Sequence, residues 1–219
     1  MNFSLLDYAA ECGVADSANF VEKCAVLREY LVEVNQTTNL TRITDETDFN
    51  IKHVADSLGL PRCFPQLIEK ELRIADLGCG AGFPSLILAL AFPQWHITSI
   101  DSTGKKINFV RSAAEKLGLS NLTAVHGRVN ELNRKAEFQF KFDVVTARAV
   151  ATAPSLARDA SNFPAKNGSF ILYKTPGQAE EDMPVLLKDF KNFKWQTTEA
   201  YQLPGEAGTR LFVVGKRIK

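Results

Sequence analysis

Three alternating glycines after a short apolar segment constrain this chain more than any other feature. Residues 74–84 read IADLGCGAGFP. The run 72–77 is mostly apolar and ends at a turn signal, which predicts a buried parallel strand. Glycine permits positive φ and lets a ligand approach the backbone closely. Because an apolar helix is predicted over 84–92, the whole segment indicates a strand, loop and helix built around a nucleotide-type ligand.

Two aspartates near this loop narrow the choice of ligand. Dinucleotide folds use G-x-G-x-x-G and place a pyrophosphate at the helix N-terminus. Here Gly78, Gly80 and Gly82 follow Asp76, whose carboxylate would repel a pyrophosphate but could help to hold an amine or a sulfonium. Asp101 ends the next predicted strand, 96–101, where it could accept both hydroxyls of a ribose. The pattern favours S-adenosylmethionine over a dinucleotide or a purely structural glycine turn.

Composition favours a cytoplasmic enzyme. The chain has 219 residues, of which 45% are hydrophobic. No apolar run reaches the roughly 18 residues of a membrane span, and no basic segment followed by an apolar core opens the chain. The cysteines at 12, 24, 63 and 79 are scattered without a C-x-x-C pair, so we expect reduced thiols and neither a metal site nor a disulfide framework.

The charge balance limits how nucleic acid could bind. A formal net charge of +1 is too small for binding by overall charge, so any contact with RNA must be local. Each basic cluster has the alternative reading of a merely solvated face. The candidate clusters are Lys105-Lys106 with Arg111, the run Lys188 to Lys194, and the tail Lys216-Arg217-Lys219.

Residues 1–70 are predicted to form a helical N-terminal extension to a domain spanning 71–219. One helical face repeats at three- and four-residue steps through Phe20, Cys24, Leu27, Leu31 and Val34. A second helix is expected over 46–60, ending before Pro61, since proline disfavours a helical conformation in the residue before it. Phe49, His53 and Ser57 would share one side of that helix.

From residue 72 onward, strand and helix patterns alternate. Such alternation predicts an α/β fold with a mostly parallel sheet and helices on both faces. Strands are expected at 72–77, 96–101, 122–126, 142–146 and 168–173, and helices at 84–92, 104–117, 153–162 and 178–191. Strand-like segments at 195–202 and 210–215, joined by a turn at 203–205, predict a terminal hairpin or antiparallel edge.

Ligands of such sheets lie beyond the C-terminal ends of the strands, where five segments supply candidate residues. These segments are 78–83, 101–106, 127–130, 146–149 and 174–177. Arg128, Arg148 and Lys174 would end three strands on one rim. Any single cation there is commonly a solvated side chain, but three together favour an anionic or nucleobase substrate.

Two absent motifs point toward a ring nitrogen as methyl acceptor. Enzymes that methylate exocyclic amines often carry Asn or Asp followed by Pro-Pro and an aromatic after the fourth strand, whereas this chain has Thr146-Ala147-Arg148-Ala149. No cysteine lies there to attack a pyrimidine ring. Guanine N7 has an exposed lone pair and no proton to lose, so positioning and electrostatics would suffice for its methylation.

Seven motifs together resemble the bacterial RsmG/GidB family, in the same order over nearly the whole chain. They are Asn39-Leu40-Thr41, His53-xx-Asp56-Ser57, the glycine loop with Phe83-Pro84, Asp101-Ser102-xx-Lys105-Lys106, Arg128-Val129-Asn130, Arg148-Ala149 and Lys174. The resemblance implies a Rossmann-like class I S-adenosylmethionine-dependent methyltransferase fold with a helical N-terminal extension. It also implies formation of N7-methylguanosine at one guanine, guanine 527 in that family, in the decoding region of 16S ribosomal RNA.

The resemblance also implies roles for single residues. Gly78, Phe83, Val129, Asn130 and Arg148 would line the cofactor, together with Asp76, Gly80, Gly82 and Asp101 from the loop argument above. Asn39, His53, Arg128, Arg148 and Lys174 would face the substrate, in 16S ribosomal RNA that is free or within a small subunit or assembly intermediate. A monomer acting without a membrane is expected.

Several readings stay open at this stage. His53 could be a satisfied structural histidine, and Asn39 a helix cap. The chain departs from the family at Ser85, at Asn130 and in the two residues that separate Lys174 from Gly177. Besides an RNA methyltransferase, the sequence permits a class I methyltransferase acting on a small anionic molecule, or a non-enzymatic module that binds nucleotides or RNA.

Overall fold

One eight-stranded sheet organises the chain, and the computed structural model describes residues 3–218 of it. The strands are β1 (Leu72–Leu77), β2 (Trp95–Asp101), β3 (Leu122–His126), β4 (Phe142–Arg148), β5 (Pro164–Lys174), β6 (Phe193–Thr197), β7 (Tyr201–Gln202) and β8 (Thr209–Arg217). Their order is β3-β2-β1-β4-β5-β8-β6, and β7 pairs only with β8. The first five strands are parallel, which confirms the predicted α/β class.

Helices cover both faces of the sheet. They are α1 (Leu5–Glu11), α2 (Ser17–Thr38), α3 (Glu46–Asp48), a π-helix (Phe49–Ala55), α4 (Asp56–Cys63), α5 (Ser85–Ala91), α6 (Gly104–Leu117), α7 (Val129–Leu132), α8 (Ala153–Asp159) and α9 (Pro176–Asp189). Short 3₁₀ turns lie at Pro65–Leu67 and Pro204–Glu206. Neighbouring residues of a strand point to opposite faces, so Ile74 packs in one hydrophobic cluster and Ala75 in the other.

The strand order creates the opening where a ligand can bind. From β1 the chain moves outward through β2 to β3, and it then returns to β4 on the other side of β1. Loops leaving β1 and β4 therefore diverge, and a crevice forms at the carboxyl ends of these strands. The antiparallel end of the sheet is also as predicted, except that 195–202 splits into β6 and β7 and that β8 lies between β5 and β6.

The N-terminal helices pack on the same face as α5 and α6. The predicted apolar side of α2 is confirmed, with Phe20, Leu27 and Leu31 buried. These residues share one hydrophobic cluster with residues of the sheet and of α5 and α6. A hydrogen bond also joins the end of α2 to α6, because the Lys105 ammonium donates to the carbonyl oxygen of Thr38 at 2.8 Å.

The segment predicted as a helix at 46–60 is helical, but it is not a regular α-helix and it does not end before Pro61. The segment is α-helical at its start, π-helical over Phe49–Ala55, and α-helical again through Pro61 to Cys63. Pro61 has no N–H to donate to the carbonyl of Ser57 one turn earlier. The Tyr173 hydroxyl of β5 donates to that carbonyl instead, at 2.6 Å, so the helix continues past the proline.

Residues 3–218 contain no membrane-spanning helix, no cluster of metal ligands and no disulfide. Within residues 3–218, no helix is both long and apolar enough to cross a bilayer. The same residues contain no group of three or more His, Cys, Asp or Glu side chains that could hold a metal ion. All four cysteines are free thiols.

Candidate functional site

A cavity of about 1020 Å³ opens at the carboxyl ends of β1, β2, β4 and β5. One side is formed by strand-end loops, with Gly78, Gly80, Asp101, Val129 and Asn130 among the lining residues. The connection after α2, the following helices and the start of β8 form the other side, with Leu40, Thr41, Ile43, Lys52, His53, Asp56 and Arg210. Phe83, Arg148 and Tyr173 also line the cavity. The predicted extension therefore contributes one wall of the site.

The glycine loop forms a backbone cradle in this cavity. Gly78, Gly80 and Gly82 have φ values of 67°, 58° and 86°, which side-chain-bearing residues rarely adopt. A Cβ atom on Gly80 would meet no atom closer than 4.0 Å, so the space above this residue is open. The Asp101 carboxylate helps to fix the loop, because it accepts hydrogen bonds from the backbone N–H groups of Gly80, at 3.0 Å, and of Thr103, at 2.8 Å. Each of its oxygens retains a lone pair for a further donor.

Asp76 lies behind the loop and does not line the cavity. Its carboxylate is fully buried and accepts hydrogen bonds from the hydroxyl and the N–H of Ser85, at 2.5 and 3.3 Å. Burial raises the pKa of Asp76 to about 6, although the Ser85 hydroxyl opposes the shift. Gly82 is also absent from the lining and packs against Leu86. Here the structure departs from the expectation that both residues face the cofactor.

Arg148 lies between the two walls at the end of β4. One terminal nitrogen, Nη1, donates to the Lys52 carbonyl oxygen at 2.7 Å and to Asp56 Oδ2 at 3.0 Å. The other, Nη2, lies 3.1 Å from Nδ1 of His53. The guanidinium also lies over the Phe83 ring, 5.8 Å from its centroid. These contacts fix its orientation and leave one Nη2 hydrogen and the Nε hydrogen without a described partner.

His53 is a neutral, fully bonded side chain in this site. Burial, reinforced by the Arg148 charge, lowers the pKa of His53 to about 3. Arginine can only donate, so Nδ1 must accept and the ring proton sits on Nε2, facing the Thr41 hydroxyl at 3.2 Å. The ring stacks on Phe83 with centroids 4.1 Å apart. His53 thus reaches the cavity while having structural partners at both nitrogens.

Asp56 and Arg210 form an ion pair in the site that the sequence patterns do not predict. The buried Asp56 carboxylate bonds Arg148 through one oxygen and Arg210 Nε through the other, at 3.0 and 3.1 Å. In the sequence, Asp56 belongs to the motif His53-xx-Asp56-Ser57, and Arg210 begins a strand-like segment. Their pairing spans 154 residues, which no local pattern reveals.

The other two strand-end cations differ sharply from each other. Lys174 lines the cavity, but its buried ammonium is 2.9 Å from Asp182 Oδ2 and donates to the Ala151 carbonyl at 2.8 Å. The Arg128 guanidinium is exposed at the rim, without a hydrogen bond or ion pair to any described residue. The three cations do share one rim, as predicted, yet Arg128 is the one open to a substrate.

The remaining predicted residues fall partly outside the cavity. Asn39 caps α2 in the left-handed conformation, at φ 52° and ψ 56°, and does not line the cavity. The runs 188–194 and 216–217 lie at the opposite edge of the sheet, where β5 and β6 begin and β8 ends. Lys219 lies outside the described residues. Of the basic clusters, only Lys105-Lys106 with Arg111 is near the site.

Comparison with known proteins identifies the family. The model of the GidB family, described as rRNA small subunit methyltransferase G, matches residues 21–204. The chain belongs to this family. A relative named ribosomal RNA small subunit methyltransferase G, from Limosilactobacillus reuteri, is 37% identical over 96% of this chain and 88% of its own. A protein of the same name from an Exiguobacterium species is 39% identical over 87% and 80%.

Solved structures agree on the fold at low sequence identity. An S-adenosylmethionine-dependent O-methyltransferase from Thermotoga maritima superposes with a TM-score of 0.60 at 16% identity, over 88% of this chain and 71% of its own. A methyltransferase from Aquifex aeolicus gives 0.58 at 12% identity, over 80% and 94%. The Rossmann-like class I methyltransferase fold predicted from the sequence is confirmed.

Proposed function

We propose that this protein transfers the methyl group of S-adenosylmethionine to N7 of a guanine in 16S ribosomal RNA. The observation that carries the proposal is the shared cavity, which joins a glycine cradle and Asp101 to a wall built by His53, Asp56 and Arg148. Family membership supplies the ribosomal RNA substrate class. The methylated position within that RNA is inferred from the family resemblance.

The cradle suits a cofactor that lacks phosphates. The backbone at Gly80 leaves room for a ligand, and the free lone pairs of Asp101 suit the two hydroxyls of a ribose. Val129 and Asn130 line the position expected for the adenine. The acidic Asp76 and Asp101 beside the loop disfavour a pyrophosphate. The bound cofactor supplies a methyl group on a sulfonium, which is already activated toward attack.

The second wall suits an acceptor that needs no proton removed. His53 is held neutral, with Arg148 and Thr41 at its two ring nitrogens, which leaves no free lone pair to act as a base. Cys79 is the cysteine among the described lining residues, and burial raises its pKa far above the ordinary value, so it stays a thiol. Guanine N7 requires neither group. The protein's contribution is then to orient the base beneath a fixed guanidinium.

Exposed cations around the cavity mouth suit the RNA backbone. Arg128 and the half-buried Lys106 line the cavity, and Arg42 is exposed between two lining residues. These charges are local, in keeping with a net charge of only +1. We infer that a folded RNA, in a small subunit or an assembly intermediate, is bound in the cytoplasm by a monomer of this chain.

Mass-spectrometric mapping of N7-methylguanosine tests the reaction. The protein is incubated with labelled S-adenosylmethionine and with small subunits from cells that lack this modification. We expect one labelled guanine in 16S ribosomal RNA. In parallel, total small metabolites are offered, because label found only there would support the small-molecule alternative and refute this proposal.

A matched pair of charge variants tests the RNA contact. Arg128→Ala is expected to raise the apparent KM for RNA about three- to tenfold, since one phosphate contact is lost. Lys191→Ala, which removes a cation at the opposite edge, should leave the KM unchanged. Equal effects of the two substitutions would contradict a docking surface at the cavity mouth.

A further inference from the structure

We propose that Lys174 and Asp182 are positioning residues, which fix the segment 149–152 against the cofactor cradle. The family resemblance implies that Lys174 faces the substrate, and none of the family motifs includes Asp182. In the structure neither side chain is free to reach a substrate, because both are almost fully buried, with 6% and 7% of their surface exposed. The inference rests on the proposed binding of S-adenosylmethionine in this cavity.

The ion pair holds the segment through its backbone. The Lys174 ammonium donates to the Ala151 carbonyl at 2.8 Å and lies 2.9 Å from Asp182 Oδ2. The same Asp182 oxygen accepts the N–H of Ala153 at 2.8 Å. The two charged groups thus bind the backbone at Ala151, in the turn between β4 and α8, and at Ala153, the first residue of α8. Removing one charge leaves the other buried without compensation, so the arrangement acts as a unit.

The held segment lies directly on the glycine loop. A Cβ atom built on Gly78 would come within 2.6 Å of Val150 Cγ1, so the Val150 side chain covers that glycine. Val150 is nevertheless 48% exposed and lines the cavity, which means that packing alone does not hold it there. The preceding Ala149 has a φ of 55°, a conformation that a free chain avoids. We conclude that the buried ion pair keeps this turn in place.

This arrangement predicts a coupling between a buried charge pair and cofactor affinity. If the segment is released, Val150 no longer borders the loop and the cradle loses one of its walls. Substitution of Asp182 should therefore weaken binding of the donor even though Asp182 does not line the cavity. A residue that only stabilised the fold would lower the unfolding midpoint and leave the affinity of the folded protein unchanged.

Isothermal titration with S-adenosylhomocysteine tests the inference on the full chain. Asp182→Asn is expected to raise the dissociation constant at least about tenfold, in the range that small misplacements of a site produce. Val150→Ala should also raise the dissociation constant. The double variant should have a dissociation constant no higher than the higher of the two single-variant values, since both substitutions act through one segment. Glu181→Gln, an exposed carboxylate on the same helix, serves as the matched control and should bind like the wild type.

The outcomes separate this inference from the proposed function. Failure of the wild-type protein to bind S-adenosylhomocysteine would overturn the proposed function itself. Two outcomes would overturn only the positioning role, provided that the wild type binds. One is an unchanged dissociation constant in folded Asp182→Asn, and the other is a double variant in which the two losses of binding free energy are fully additive. If Asp182→Asn does not fold, Val150→Ala decides, because an unchanged dissociation constant there removes the segment from the site.

Discussion

At the scale of single residues, Arg148 matters through the number of its fixed contacts. Its guanidinium bonds the Lys52 carbonyl, Asp56 and His53 at once. A lysine carries the same charge but cannot reproduce this planar fan of donors. We expect Arg148→Lys to lower the single-turnover rate of methyl transfer about a hundredfold and to cost roughly 1–3 kcal/mol of unfolding free energy.

Exposed Arg158, on α8, supplies the control for Arg148. Arg158→Lys should change neither the rate nor the urea midpoint. Rapid-quench kinetics and urea unfolding on both variants measure the two effects separately. A full rate in Arg148→Lys would show that charge alone suffices and would remove the fixed orientation from the explanation.

His53 makes a prediction about stability at acid pH. Its pKa is about 3 in the folded protein and about 6.5 in an unfolded chain. Between these values the unfolded state binds more protons, so the contribution of His53 to stability falls as pH decreases, by up to about 1.4 kcal/mol per pH unit. His53→Asn, which keeps an acceptor for Arg148, should make the decline between pH 6 and 4 shallower than in the wild type.

Asp76 acts in the opposite sense over nearly the same range. Its pKa, raised to about 6, means that the folded state holds the proton more strongly, so this group favours folding as pH falls toward 4. Asp76 contributes equally to the wild type and to His53→Asn. Its contribution therefore cancels when their free energies of unfolding, measured in urea at each pH, are subtracted. Parallel curves for the two proteins would show that His53 is not the titrating group.

At the scale of elements, the sequence predicted the core better than the N-terminal wall. Periodicity was sufficient for β1, β2, β4 and β5 and for α2, because their apolar patterns match their burial. The glycine loop and Asp101 were found because strand, turn and carboxylate are close in sequence. Asp182 and Arg210 were missed, since each acts across more than 20 residues. Lys174 does line the cavity, but its ammonium is bound to Asp182 and Ala151 and is not free to contact a substrate.

Helix α4, which contains Pro61, shows why a local rule failed. Pro61 was expected to end a helix, yet the Tyr173 hydroxyl replaces the missing donor. Burial raises the pKa of Tyr173 well above its ordinary value, so the hydroxyl keeps its proton and donates. We therefore expect Tyr173→Phe to lower the unfolding free energy by about 1–3 kcal/mol, the cost of a buried carbonyl without a partner.

A double-mutant cycle tests this compensation. Pro61→Ala restores a backbone N–H one turn after Ser57, so Tyr173→Phe should cost clearly less in that background. Urea denaturation of the four proteins gives the coupling energy. Equal costs in both backgrounds would mean that the hydroxyl does not replace the proline's missing bond.

At the scale of the whole molecule, the extension and the methyltransferase core share one hydrophobic cluster. Leu27 of α2 and Trp95 of β2 are both essentially unexposed within it. The division at residue 70 was predicted from sequence patterns, but a shared core implies that both parts unfold together. This matters for the site, because residues of both parts form its walls.

Trp95 allows that cooperativity to be measured. The chain has two tryptophans, so Trp195→Phe leaves Trp95 as a single reporter in the shared cluster. In this background, urea curves from tryptophan fluorescence and from far-ultraviolet circular dichroism should coincide. Leu27→Ala, a truncation on the extension, should shift both curves equally, by about 2–5 kcal/mol. Loss of the helical signal at a lower urea concentration than the Trp95 signal would mean that the extension unfolds separately. The cavity wall that contains His53 and Asp56 would then open while the glycine loop stayed folded.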